Sequence, residues 1–98
     1  MLLTKAITKQ LPPLYTAEHA ADPRVVCKFF TPTSSWTWYA IEYDGDDIFF
    51  GYADNGQGGG ELGYFSLAEL QAIRGPFGLG VERDRYFTPC PLSEAKRR

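Results

Sequence analysis

The chain has 98 residues, 44% of them hydrophobic and 15% aromatic, which fits one domain with a modest core and excludes a disordered chain. No run approaches the ~18 apolar residues of a membrane span, and Met1-Leu2-Leu3 gives way at once to Thr4-Lys5, so no secretory signal is expected. The net charge of −2 is unevenly spread: residues 29–73 hold seven acids and no Lys or Arg, between two basic ends.

In chain order, the first element is a helix capped by Thr4, lined by Leu3, Ile7 and Leu11, and ended by Pro12-Pro13. Arg24 to Phe30 is rich in strand formers and stops before Pro32. Trp36 to Tyr43 and Ile48 to Ala53 form a hairpin around Asp44-Gly45-Asp46-Asp47, which contains an Asp-Gly turn signal. Folding at that turn sets Tyr43 against Ile48, Ile41 against Phe50 and Tyr39 against Tyr52 on one face, read as the core. The reverse face carries Trp36, Trp38, Ala40 opposite Gly51, and Glu42 opposite Phe49. Leu62 to Phe65 adds a short fourth strand. Ser66 and Glu69 then form a capping box, with Phe65 and Leu70 as hydrophobic staple, for a helix near residues 67–74 that Gly75-Pro76 stops. Past Gly75 the chain is expected to run extended, with Arg85 to Thr88 as an edge strand. The class is therefore α+β: one domain over residues 1–98, an antiparallel meander of three to five strands with two helices.

Cys27 and Cys90 lie far apart in sequence. In a domain this small they read as two thiols in a reducing, cytoplasmic compartment, with a single disulfide as the alternative.

Several strings taken together are distinctive: Lys28-Phe29-Phe30-Thr31-Pro32, Trp36-Thr37-Trp38-Tyr39, the run Glu61 to Leu70, Arg74-Gly75-Pro76, Val81-Glu82-Arg83-Asp84 and Pro89-Cys90-Pro91-Leu92. They are similar to the bacterial family catalogued as domain of unknown function 2958, across nearly the whole chain. The resemblance implies a short bacterial protein often borne by plasmids and integrated mobile elements. It implies no particular activity.

Motifs for chemistry are weak. Gly58 to Gly63 matches G-x-G-x-x-G in letters, but a strand-like segment follows where a dinucleotide fingerprint opens a helix, so a flexible hairpin loop is the better reading. Asp44, Asp46 and Asp47 lack the spacing of a calcium loop and suit a solvated turn. His19 is the only histidine and has no metal-ligand or nucleophile partner at short spacing. Glu82 and Asp84 are a formal carboxylate pair, interleaved with Arg83 and Arg85. No catalytic residue, cofactor or metal is expected.

The second sheet face is the most informative feature. Trp36, Trp38, Glu42 and Phe49 are the candidate protein-binding residues, since contiguous aromatic surface marks interaction sites and the acidic surround favours a basic partner. Burial of that face beneath a helix and the C-terminal segment is the alternative. Two other function classes stand behind this one: nucleic-acid binding by the basic ends, which the acidic middle disfavours, and a carboxylate-dependent enzyme.

Overall fold

The computed structural model describes residues 2–16 and 20–97. Helix α1 spans Lys5–Gln10, and the Thr4 hydroxyl accepts the Ile7 N–H at 3.2 Å, as an N-cap should. The strand-forming run after Pro23 is two strands, β1 at Arg24–Val25 and β2 at Cys27–Phe30, which enter different sheets. The hairpin comes next as β3, Thr37–Tyr43, and β4, Ile48–Asp54. Strand β5, Gly60–Ser66, is longer than the sequence suggested and pairs with β4 along its length. It runs directly into α2, Leu67–Ala72. A 3-10 turn at Pro76–Gly78 precedes β6, Glu82–Arg83, then β7, Cys90–Pro91, and α3, Leu92–Ala95. The main sheet has the order β5-β4-β3-β2-β6, an antiparallel meander with β6 added at the β2 edge, and β1 pairs with β7 separately. The α+β class and the meander are as the residue pattern implies.

The hairpin register departs from the expected one. Trp38, Tyr39 and Ala40 face Ala53, Tyr52 and Gly51 as expected, but a bulge between Ala40 and Glu42 shifts the remainder of β3, so Glu42 faces Phe50 and Tyr43 faces Phe49. The extra residue is Ile41. A bulge breaks the period-two alternation, so Tyr43 moves to the face of Trp38 and Ala40 while Ile41 stays with Tyr39. The Tyr43 and Phe49 rings then stack at 4.5 Å. Past Ala40 the free edge of β3 is taken by the segment after α1: Pro12 O accepts the Tyr43 N–H at 3.0 Å, and the Glu42 carboxylate accepts the Tyr15 N–H at 2.9 Å. Tyr15 has a φ of 71°, a left-handed conformation held by that bond.

Both faces of β3 are consequently interior. One core joins Trp38, Ala40, Tyr43, Phe49 and Phe29 to Leu2, Leu11 and Leu70, under α1 and α2. Phe49 is its centre, stacked on Phe65 at 5.2 Å and edge-on to Phe29 at 5.5 Å. The other core joins Tyr39 and Ile41 to Val25, Cys90, Leu92 and Ala95, beneath β1, β7 and α3. The C-terminal segment thus covers the reverse face from the tryptophans. Arg85 to Thr88 is a connecting turn, and the added edge strand is β6. Neither cysteine forms a disulfide; the two sit in different cores.

Candidate functional site

The β2–β3 loop positions the first aromatic of the expected surface. Thr31 N–H donates to Trp36 O at 3.2 Å, and Trp36 N–H donates to the Ser34 hydroxyl at 3.3 Å, which is itself bonded to Thr31 Oγ1. These bonds close the loop and deliver Trp36 next to the sheet. Its indole stacks on that of Trp38, with centroids 5.8 Å apart and planes inclined by 16°. Trp38 is 8% exposed and anchored in the helix-covered core, whereas Trp36 is 44% exposed.

Glu42 is 2% exposed and Phe49 is fully buried, so of the four expected contact residues only Trp36 presents substantial surface. The physical reason is the pair of helices above that face, together with the bulge that turns Glu42 toward the Tyr15 segment.

Around Trp36 the structure assembles Trp38 with residues outside the expected contact set. Trp38, Ala53 and Glu61 are register partners across β3, β4 and β5, so their side chains emerge in one row on one face. Beside that row lies a cavity of about 440 Å³ lined by Trp36, Ala53, Asn55, Gly59, Gly60 and Glu61. The β4–β5 loop is ordered by its own side chains: Asp54 Oδ1 accepts the Gly56 N–H at 2.8 Å, and Asn55 Oδ1 accepts the Gln57 N–H at 2.9 Å. A Cβ at Gly60 would run into the Tyr52 ring, so the last glycine of the run is a packing requirement rather than a source of flexibility. Continuing the hairpin register by one more strand, which sets Ala53 against Glu61, is the signal that would have found this slot.

Further apolar surface lies outside this cavity. The loop after α2 exposes Phe77 and Leu79, and it is pinned at its neck, where Gly75 N–H donates to Leu79 O at 2.7 Å and Gly75 backs onto Thr33 of the β2–β3 loop. On the opposite face, Leu62 and Tyr64 of β5 are exposed, Tyr64 lying 5.4 Å from Phe50.

The other sequence candidates serve the fold. Asp44 Oδ1 accepts the N–H groups of Asp46, Asp47 and Ile48 at 2.8, 2.8 and 3.0 Å, and these bonds hold its carboxyl below the usual value of 3.8. Asp47 accepts the Ser66 hydroxyl at 2.6 Å and the Ala68 N–H at 2.8 Å, so the β3–β4 turn helps cap α2. Asp84 Oδ1 accepts the Tyr86 N–H at 2.9 Å within a turn. Burial pushes the Cys27 thiol up to about 12, far from a reactive thiolate. Among the described residues no group of three or more His, Cys, Asp or Glu side chains could hold a metal ion, and His19 lies outside those residues. Lys28, Arg83 and Arg85 of the two basic ends meet beside Phe30 and Tyr86, but Glu82 and Asp84 alternate with them and Arg83 donates to Leu2 O at 3.1 Å. A larger groove of about 560 Å³ runs between α1 and α2 over Tyr43, with the Thr4 and Thr8 hydroxyls on its rim engaged in helix hydrogen bonds.

The architecture and the site together define a small α+β protein whose five-stranded antiparallel sheet is buried on both faces at β3 and carries an aromatic-lined slot at one end. The chain belongs to the family described as protein of unknown function (DUF2958), whose model matches residues 2–96. No curated protein and no solved structure matches it significantly. No helix among the described residues is long and apolar enough to cross a membrane.

Proposed function

We propose that this chain is a small cytoplasmic binding or regulatory accessory protein, forming one domain over residues 1–98. It contacts a basic surface of another protein through the aromatic end of its main sheet. The family resemblance suggests a bacterial setting, on a plasmid or mobile element. The supporting observation is the exposed Trp36 stacked on the buried Trp38. An indole held this way loses little freedom on binding, and tryptophan is a favoured anchor at protein interfaces. Glu61, in the lining of the cavity beside Trp36, supplies an acidic group. Of the residues marked in the sequence, Trp36 makes the contact and Trp38 backs its indole, while Glu42 and Phe49 are interior. No cofactor or metal is required for this role. Direct nucleic-acid binding by the basic ends is the weaker reading, because the cations beside Tyr86 alternate with carboxylates.

The test is affinity capture from cells with the wild-type chain and a folded Trp36→Ala variant. Proteins recovered with the wild type should be lost with the variant. An identical set of recovered proteins removes the reading.

A further inference from the structure

Resting on the reading of the Trp36 surface as a protein contact, we infer that the slot beside it receives an arginine side chain of the partner. The geometry begins with the row Trp38, Ala53, Glu61 across three strands. Strands about 4.8 Å apart set Glu61 about 10 Å from the Trp38 position. Only the methyl group of Ala53 lies between them, so the row has a gap at its centre. Over Ala53 at the open end of this row lies the cavity of about 440 Å³, whose lining includes both Trp36 and Glu61.

The chemistry of these walls selects the occupant. An indole face attracts a cation, and most favourably a flat one that stacks on it. The acidic Glu61 in the same lining favours a cation over an anion there. A guanidinium satisfies both walls at once, stacking on Trp36 and donating two parallel N–H groups to Glu61. Lysine offers a compact, more strongly hydrated charge without the plane. The chain supplies no such cation from the surrounding stretch, since residues 29–73 contain no Lys or Arg. Asn55, Gly59 and Gly60 complete the lining.

The experiment is an NMR titration of the full ¹⁵N-labelled chain with a blocked Ala-Ala-Arg-Ala-Ala peptide. The readouts are the Trp36 indole N–H and the Gly60 and Glu61 amides. Matched peptides with lysine or with neutral citrulline replace the arginine in parallel, and Glu61→Gln and Trp36→Ala chains are titrated alongside. Saturable shifts are expected with the arginine peptide. Binding should weaken about fivefold or more with citrulline and with Glu61→Gln, and it should weaken with added salt. No saturable shift at millimolar peptide overturns the inference, as does equal binding of the citrulline or lysine peptide or an unchanged Glu61→Gln titration. A negative titration alongside a Trp36-dependent partner overturns the arginine assignment alone. Loss of both overturns the contact surface as well.

Discussion

Two tryptophans two residues apart, with stacked indoles, differ sharply in burial. Trp38 lies in the core between β3 and the helices, so Trp38→Ala should destabilise the fold by about 3–5 kcal/mol, the usual cost of truncating a buried aromatic. Trp36 is 44% exposed, and its removal should cost no more than about 1 kcal/mol. Urea unfolding of the two variants checks the contrast; equal losses would mean that Trp36 is structural. That difference was not legible from the residues alone, because both indoles are apolar and share the same sequence parity. Glu42 carries the same lesson. A glutamate on a sheet face reads as a rim residue, yet here it is interior and bound to the Tyr15 N–H. Its partner comes from a segment 27 residues away, beyond the reach of any local pattern.

At the scale of elements, α2 was read correctly at its start because its signals are local. Ser66 accepts the Glu69 N–H at 3.2 Å, and Phe65 and Leu70 both pack into the same core. Its second cap was not legible, since Asp47 reaches it across 19 residues from the turn of the preceding hairpin. This bond ties the β3–β4 turn to the β5–α2 junction. Asp47→Ala should therefore lower stability by about 0.5–2 kcal/mol, the range for loss of a helix cap. Combined with Ser66→Ala the loss should be less than additive, because the two side chains share one hydrogen bond. Thermal unfolding of the single and double variants measures this; full additivity would mean that the two caps act separately. The bulge at Ile41 belongs to this scale too. Strand type and turn position come from composition, but one extra residue in the ladder is decided by which side chains can be packed on either side of it.

Across the whole molecule, the last helix is secured to the segment before β1 by Asp22. Its carboxylate accepts the Ser93 N–H at 2.9 Å and the Ser93 hydroxyl at 2.6 Å, 71 residues apart in sequence. These bonds to Ser93 hold the Asp22 carboxyl below its usual value of 3.8. A carboxyl depressed in the folded state adds stability above the unfolded value, and that stability disappears as pH falls through the folded one. The protein should therefore lose stability on acidification below about pH 4, with Asp44 contributing in the same direction. Asp22→Asn should be less stable than wild type at pH 6, with the two curves converging at low pH. Denaturant midpoints from pH 2.5 to 6 test this; parallel curves would show that Asp22 has no such role.

By itself the sequence determined the α+β class, the meander, both helix caps built from neighbouring residues, and the acidic middle. Those properties depend on propensity, period and charge over a few residues, which the chain carries wherever it goes. Tertiary structure decided which sheet face was covered by what, because both faces of β3 are apolar enough to be interior and only the packing of distant segments distinguishes them. It also decided that of the four marked residues only Trp36 keeps substantial exposure, and that Ala53 and Glu61 line the same cavity with it. Those three positions lie 25 residues apart from first to last, and only the pairing of β3, β4 and β5 makes them neighbours.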